Sequence, residues 1–238
     1  MADRFFAPEL PATGGIALTG DEARHLARVA RREVGDLVEV FDGRGRAFVA
    51  RVDSIERDRV VLSLRDEIED RRPLVDLSLF VAAPKGDRFD WLIEKATELG
   101  VSRLVPLKTE RSVVDPRTSK IERLRRAVIE ASKQCGRNGL MIVAEPLSVT
   151  EAFQNDAASI RLIADAGGLP AHRWPAIPQD SRVALAVGPE GGWTDTERRL
   201  AAECGWTVVG LGPTRLRVET AAIAGSAILF SRVSEDLS

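Results

Sequence analysis

The chain has 238 residues, of which 44% are hydrophobic and 29% are charged, and its net charge is −2. This length suits one large or two modest domains, and the composition is ordinary for a globular protein. No apolar run approaches the about 20 residues of a membrane span, the first residues lack a signal-peptide pattern, and the net charge argues against a protein that coats nucleic acid. The two cysteines, Cys135 and Cys204, lack a metal-binding spacing. We therefore expect a cytoplasmic enzyme that uses no metal.

Residues 1–72 are predicted to form a first domain with one helix and several short strands. Thr19 and Glu22 have the spacing of a capping box, which predicts a helix from Glu22 to about Arg32. The apolar positions predicted to face inward on this helix are Leu26, Val29 and Ala30. The alternating segments that predict antiparallel strands are 37–41, 47–55 and 60–64. Together they indicate a small β-barrel, for which RNA binding and a purely structural role are about equally consistent.

A charged segment that ends at Pro73 marks the predicted domain boundary, and residues 73–238 follow a different pattern. Strands and helices alternate there, which predicts an α/β domain with a mainly parallel sheet. The predicted strands are 77–82, 101–107, 141–144, 160–164, 183–187 and 207–211, with a loop at 165–168. The predicted helices are 89–99, 119–135, 149–153, 195–204 and 220–233.

Two glycine-containing turns follow the last two of these strands. The strand 183–187 leads into Gly188–Gly192, and a capping box of Thr194 and Glu197 opens the next helix. The strand 207–211 leads into a Gly-Pro turn and then into the last helix. Turns of this kind present bare backbone N–H groups at the carboxyl edge of a parallel sheet. The pattern predicts a ligand held through main-chain groups, although a lone glycine turn of this type is about as often structural.

Several common active sites are not indicated. The chain has no Gly-x-Ser-x-Gly motif, no lysine after the glycines as in a phosphate-binding loop, and only two histidines, His25 and His172. The first strand of the second domain ends without the glycine pattern of a dinucleotide site. Between Arg103 and Arg137 there are ten Lys/Arg and four Asp/Glu. This positive segment fits either a phosphate-contacting face or a solvated helix surface.

The two turns, together with motifs further upstream, resemble a known family. Val187–Gly192 and Leu211–Ala221 resemble the cofactor signatures of the SPOUT methyltransferases, which contain a deep trefoil knot. The upstream motifs resemble those of the 16S ribosomal RNA uridine N3-methyltransferases of the RsmE type, including that family's PUA-like barrel. These motifs are Lys85–Arg88, Glu94–Val101, Pro106–Ser112 and Glu130–Asn138 in the second domain, and Arg4–Phe6, His25–Val29 and Gly35–Gly43 in the first. Val218 and Gly139–Met141 depart from the residues usual in the family.

The resemblance implies transfer of a methyl group from S-adenosylmethionine to N3 of a uridine in 16S ribosomal RNA of the small subunit, of the uracil-1498 type. A knotted tRNA methyltransferase and a catalytically dead RNA-binding protein of ribosome assembly are the alternatives. It also implies a SPOUT domain at 73–238 behind a PUA-like domain at 1–72, a homodimer, and no metal. The small residues of the last helix fit a close helix partner in the same chain or in a second subunit.

The resemblance also implies which residues act. Arg217 is the first candidate for catalysis, because a guanidinium beside a uracil carbonyl would stabilise the anion that forms when N3 loses its proton. Glu219 is the second, either to orient Arg217 or to accept that proton, and the alternative is an acid that only stabilises a helix N-terminus. The residues expected to bind the cofactor are Ala164, Gly188, Pro189, Glu190, Gly191, Gly192, Leu211, Gly212, Leu216, Arg217, Val218 and Thr220. The residues expected to contact RNA, each equally consistent with a surface ion pair, are Arg4, Arg28, Arg31, Lys85, Arg88, Arg111, Gln134 and Arg137.

Overall fold

The chain folds into two compact units, each with its own sheet. The computed structural model describes residues 3–70, 72–112 and 118–234. The front unit comprises Met1–Arg72 together with Ile129–Leu140, and the rear unit comprises Pro73–Val128 and Met141–Ser238. This division differs from the sequence-based one, which assigned all residues after 72 to the rear domain.

The front unit contains one five-stranded sheet. Its elements are β1 (Arg4–Phe6), β2 (Gly15–Thr19), α1 (Gly20–Arg24), a π-helical turn (His25–Val29), β3 (Leu37–Phe41), β4 (Ala47–Ile55) and β5 (Arg59–Ile68). The strand order is β1-β3-β4-β5-β2, and only the β1–β3 pair among the described strands of this sheet is parallel. Apolar residues alternate along β3 and β4, so one face of the sheet is buried. Phe5, Val40 and Leu62 lie in the core of this unit.

The first helix departs from its prediction at both ends. Thr19 is its N-cap but makes no side-chain capping bond. The Glu22 carboxylate, which would complete the box at Thr19 N, accepts hydrogen bonds from Phe6 N (3.1 Å) and Lys133 Nζ (2.5 Å) instead. The helix then changes to a π-helical turn, which alters the direction of the side chains that follow. Leu26 is buried as predicted, but Val29 is 71% exposed, so its predicted inward position is wrong.

The segment 129–140 belongs to the front unit because its polar side chains find their partners there. Lys133 is 7% exposed and pairs with Glu22, and also with Glu130 at 2.9 Å. Asn138 is buried and accepts a hydrogen bond of 2.5 Å from Arg4 Nη2. A buried ammonium is tolerated only when it is paired, so these contacts fix the segment on the sheet.

We expect Glu22→Gln to lower the free energy of unfolding by about 3 kcal/mol, because it leaves the buried Lys133 with only the exposed Glu130 carboxylate. Lys133→Met is the matched control. It removes the buried charge together with the need for a partner, and we expect it to lower the free energy of unfolding by about 1 kcal/mol. Urea denaturation of the full chain measures both values, and equal losses in the two variants would show that the pair is not the cause.

The rear unit alternates strands and helices. Its strands are β6 (Asp76–Ala82), β7 (Arg103–Lys108), β8 (Ile142–Val143), β9 (Leu147–Ser148), β10 (Ile160–Leu169), β11 (Ile177–Pro178), β12 (Arg182–Val187), β13 (Thr207–Val209) and β14 (Val233–Ser234). Its helices are α2 (Arg88–Leu99), α3 (Thr118–Cys135, shared with the front unit), α4 (Val149–Asn155), a 3-10 turn (Ala171–Arg173), α5 (Asp195–Glu203) and α6 (Val218–Ser231). The main sheet has the order β13-β10-β12-β6-β7-β8, with β9 also paired to β7. Every described pair in it is parallel, which confirms the predicted sheet type.

Helices cover both faces of the main sheet. Helix α6 packs against α2, β6 and β12, and Gly225 allows this close approach because a Cβ there would lie 2.7 Å from Leu185 Cδ2. The opposite face packs against α4 and α5 through an apolar cluster that includes Phe153, Trp193 and Trp206. The strands are therefore buried on both sides, as their near-continuous apolar sequence indicates. No helix in the described part of the chain is long and apolar enough to span a bilayer.

The end of β10 differs from the prediction. Residues 165–168, predicted as a loop, continue the strand to Leu169, with a register shift between Ala164 and Leu169 where it pairs with β13. A Cβ on Gly168 would lie 2.5 Å from the carbonyl carbon of Val209. The extended backbone continues because glycine lets the two strands meet at this distance.

Candidate active site

The two glycine turns leave the same edge of the main sheet. Strand β10 lies between β12 and β13 in a parallel array, so the turn after Val187 and the turn after Val209 flank the end of β10. In open parallel sheets, ligands bind at the carboxyl ends of the strands. The turn 188–192 and the loop 210–217 are therefore the two walls of the candidate site.

The turn 188–192 is supported from below by a tryptophan. Gly192 has a positive φ of 70° and its N–H donates to Pro189 O at 2.8 Å, which closes the turn. Trp193 is 1% exposed, and its Nε1 donates to Ala164 O at 3.0 Å. A Cβ on Gly188 would lie 2.7 Å from the indole ring, so the backbone lies directly on the tryptophan. This packing fixes the turn relative to the end of β10.

We expect Gly188→Ala to lower the affinity of the site for its small-molecule ligand by more than about tenfold, because the buried Trp193 ring cannot move away from the new methyl group. Gly191→Ala is the matched control in the same turn, since its Cβ would meet only the Arg111 side chain at 3.4 Å. Calorimetric titration measures both affinities. Similar binding by both variants would show that the contact between the turn and the indole does not set the site.

The loop 210–217 starts from a point where two backbones touch. Gly210 N donates to Leu169 O at 2.8 Å, and a Cβ on Gly210 would lie 2.9 Å from Gly168 O. Gly212 has a φ of 131° and a Cβ there would meet no atom within 4 Å. One side of this loop is therefore closed by β10, while the backbone at Gly212 is open to a ligand.

Helix α6 begins where this loop ends. Arg217 is its N-cap and provides no side-chain capping bond, so the first backbone N–H groups of the helix receive no cap from that residue. The Arg217 side chain is exposed and forms no ion pair or hydrogen bond within the described ranges. Val218 and Glu219 are 5% and 7% exposed, and Thr220 is exposed. As far as the described residues show, the helix start thus combines an unpaired guanidinium, a buried carboxylate and N–H groups without a side-chain cap.

One of the two roles predicted for Glu219, the orientation of Arg217, requires the two side chains to pair. The structure shows no such pair, and Glu219 lies near Arg88 instead. Its Oε1 lies 3.8 Å from Arg88 Nε, and Arg88 Nη1 also lies 3.1 Å from Glu190 Oε1. The second carboxylate oxygen, Oε2, is buried and has no hydrogen-bond partner in the described part of the molecule. A buried acceptor without a partner is costly, so an arrangement that retains one points to a ligand that supplies the donor.

The residues predicted to contact RNA are found in three kinds of surroundings. Arg28, Arg31, Lys85 and Gln134 are exposed. Arg111 donates from Nη1 to Gly191 O at 2.8 Å, and Arg88 pairs with Glu190, so both contact the turn 188–192. Arg137 is partly buried, and burial lowers the pKa of its guanidinium.

The structure corrects the prediction for Arg4. This residue is 6% exposed, pairs with Glu39 at 3.1 Å and lies over the Phe41 ring at 4.8 Å. Burial lowers the pKa of its guanidinium, and the Glu39 charge opposes that effect. An arginine enclosed in this way holds Asn138 in place, and its burial disfavours the predicted contact with RNA.

Two contacts that support the site were not predicted from the sequence, and each is made by a different residue. One is Trp193, described above. The other is Glu197, whose Oε2 completes the predicted capping box with Thr194 and whose Oε1 accepts a bond of 3.0 Å from Glu110 N. The capping pattern predicted the first contact, whereas the second joins positions 87 residues apart and has no local signal. Among the described residues there is no group of three or more His, Cys, Asp or Glu side chains that would hold a metal ion.

Two family models cover most of the chain. The model of an RNA methyltransferase domain matches residues 70–230, and that of an RNA methyltransferase PUA domain matches residues 18–65. The chain is 35% identical over 220 residues to the ribosomal RNA small subunit methyltransferase E of Synechocystis, a match that covers 90% of this chain and 72% of that protein. It is 30% identical to the protein of that name from Bacillus subtilis, with 90% of each chain covered.

A solved structure agrees with this similarity. The ribosomal RNA small subunit methyltransferase E of Neisseria gonorrhoeae, determined bound to S-adenosyl methionine, is 30% identical and superposes with a TM-score of 0.91 over 98% of each chain. A methyltransferase from Legionella pneumophila, determined in complex with the same cofactor, is 29% identical with a TM-score of 0.89.

Proposed function

Because the chain belongs to the ribosomal RNA small subunit methyltransferase E family, we propose that it transfers the methyl group of S-adenosylmethionine to N3 of a uridine in 16S ribosomal RNA, of the uracil-1498 type. The observation that carries the proposal is the site at the carboxyl edge of the main sheet. There, two backbone walls enclose a helix start that combines the exposed Arg217 with the buried Glu219.

The residues at this edge fit the cofactor. A Cβ at Gly168, Gly188 or Gly210 would clash with neighbouring atoms, so these backbones are already as close as they can pack. Gly212 remains open, and the uncapped N–H groups of α6 suit the carboxylate of an amino-acid ligand. The residues proposed to hold the cofactor are Ala164, Gly188–Gly192, Leu211, Gly212, Leu216–Val218 and Thr220. When bound, S-adenosylmethionine supplies an activated methyl group on a sulfonium, which requires no metal.

The acceptor is the harder part of the reaction. N3 of uracil carries a proton, so the nitrogen becomes a nucleophile only when that proton leaves. We assign proton acceptance to Glu219, because its Oε2 is a buried acceptor without a partner in the described residues. We assign stabilisation of the resulting negative charge on the uracil carbonyl to Arg217, which is the N-cap of the helix that carries Glu219 and whose exposed guanidinium has no partner among the described residues.

The RNA contacts and the assembly are parts of the same proposal. The exposed Arg28, Arg31, Lys85 and Gln134 are proposed to contact RNA, with 1–72 as a PUA-like domain and 73–238 as a SPOUT domain that contains the trefoil knot. A homodimer is proposed from the resemblance to the SPOUT methyltransferases, since the buried small residues of α6 already pack against α2, β6 and β12 within the chain. A cytoplasmic location is proposed because the substrate is ribosomal RNA.

The test combines cofactor binding with mapping of the product. Calorimetry with S-adenosylmethionine is expected to show one site for each chain, and the absence of binding would favour a catalytically dead RNA-binding protein. The purified chain is then incubated with small subunits, naked 16S RNA and tRNA, and the modified nucleoside is located by mass spectrometry. We expect 3-methyluridine at one position of 16S RNA. Methylation of tRNA alone would favour the knotted tRNA methyltransferase.

A further inference from the structure

Arg88 contacts acidic residues on two separate segments of the candidate site. It is the first residue of α2, and its side chain is 41% exposed. Its Nη1 lies 3.1 Å from Glu190 in the turn 188–192, and its Nε lies 3.8 Å from Glu219 in the first turn of α6. These two segments are far apart along the chain, and this one side chain bridges them.

The two contacts differ in their surroundings. The Glu190 side chain is 61% exposed, and an ion pair in water contributes little to stability. The Glu219 side chain is 9% exposed, so its charge has lost most of its hydration and depends on Arg88 and on the start of α6. Burial therefore makes the contact with Glu219 the more important one, although it is the longer of the two.

A guanidinium suits this bridge better than an ammonium would. Its nitrogens lie in a rigid plane and donate in different directions, so one side chain reaches two carboxylates at once. The ion pair brings Nε of Arg88 to 3.8 Å from Oε1 of Glu219, whereas Oε2 has no hydrogen-bond partner within the described residues. Arg88 thus lies on the Oε1 side of the Glu219 carboxylate, and the unpartnered oxygen is Oε2.

We propose that Arg88 is a positioning residue that sets the spacing between the turn 188–192 and the first turn of α6 and orients the Glu219 carboxylate, and that it does not serve as an RNA contact. The role in orienting Glu219 rests on the proposed function. The role in spacing these two segments does not, because it concerns the ligand-free chain. A guanidinium engaged by two carboxylates is already neutralised and offers little to a phosphate.

The first measurement uses the ligand-free protein. Arg88→Ala is expected to raise amide hydrogen exchange at residues 188–192 and 218–221 by about tenfold, because both segments lose their common anchor. Arg123→Ala is the matched control. Arg123 lies on α3 and forms an ion pair of 2.6 Å with Asp90, which is on α2 two residues after Arg88. We expect the exchange at both segments in that variant to match the wild type. Unchanged exchange in Arg88→Ala would overturn the role in spacing.

The second measurement separates effects on cofactor affinity, on turnover and on RNA binding. Arg88→Ala is expected to weaken S-adenosylmethionine binding about tenfold by calorimetry and to lower kcat, with KM for RNA within about twofold of wild type. Arg88→Lys is expected to restore part of the cofactor affinity, because an ammonium serves only one of the two carboxylates. In a Glu219→Gln background, Arg88→Ala is expected to lower kcat no further, because the residue acts through Glu219.

The opposite pattern would overturn the proposal. If Arg88→Ala raises only KM for RNA, with hydrogen exchange and cofactor affinity unchanged, Arg88 is an RNA contact. If its effect on kcat is the same with and without Glu219, it does not act through that carboxylate. Should the wild-type chain fail to methylate RNA, the proposed function would fail, while hydrogen exchange and cofactor affinity would still test the role in spacing.

Discussion

Replacement of Arg217 by alanine is expected to lower kcat for methyl transfer about 100-fold, while the affinity for S-adenosylmethionine changes no more than about threefold. A single donor to a developing anion typically contributes a factor of this size. The guanidinium is exposed at the start of α6, so its removal leaves no cavity and no unpaired partner among the described residues. Single-turnover methyl transfer to small subunits measures the rate, and calorimetry measures the affinity.

Arg215→Ala is the control for this variant. Arg215 is exposed in the same loop, two residues before Arg217, and its replacement by alanine removes the same charge. A general loss of positive potential would affect both variants alike, whereas a specific role affects only Arg217. Full turnover by a folded, cofactor-binding Arg217→Ala would refute the assignment.

Gly168→Ala is expected to destabilise the chain by about 3 kcal/mol and to abolish detectable binding of S-adenosylmethionine. Its Cβ would lie 2.5–2.7 Å from the N, Cα and C atoms of Val209, and backbone atoms in a sheet cannot move aside as a side chain can. The strands would separate at the point where the loop 210–217 begins. Urea denaturation and calorimetry measure the two effects.

Gly167→Ala separates the clash from backbone strain. Gly167 has a φ of 79°, but a Cβ there would meet no atom within 4 Å. We expect Gly167→Ala to lower the free energy of unfolding by about 1 kcal/mol, because alanine is strained in the left-handed conformation, and to retain cofactor binding. If Gly168→Ala behaved no worse than Gly167→Ala, close contact between β10 and β13 would not be needed for the site.

The same capping pattern succeeded at one helix and failed at another, which shows where sequence-based prediction stops. Thr194 and Glu197 form the predicted box, because Oε2 of Glu197 accepts from Thr194 N while its other oxygen, Oε1, takes the long-range bond from Glu110 N. Thr19 and Glu22 have identical spacing, but the carboxylate of Glu22 pairs with Lys133, which is 111 residues away. A local pattern cannot report a partner at that distance.

The candidate site divides in the same way. The family, the parallel sheet and the two glycine turns follow from short motifs and alternating apolar segments, and the comparisons confirm the family. The hydrogen bond from Trp193 to Ala164 and the contacts of Arg88 depend on how β10, α2 and α6 meet. They become visible only when the strands are assembled in order.

The front unit is interrupted in sequence, and this has a consequence for how the chain is made. Residues 129–140 are synthesised after β6 and β7. Glu22 and Arg4 therefore have no access to their partners Lys133 and Asn138 until part of the rear sheet has been made. Folding from the N-terminus onward therefore cannot finish one unit before the next begins. A fragment that stops at residue 72 would expose the surface left by the missing segment, and the nascent chain would need protection there until translation has passed Leu140.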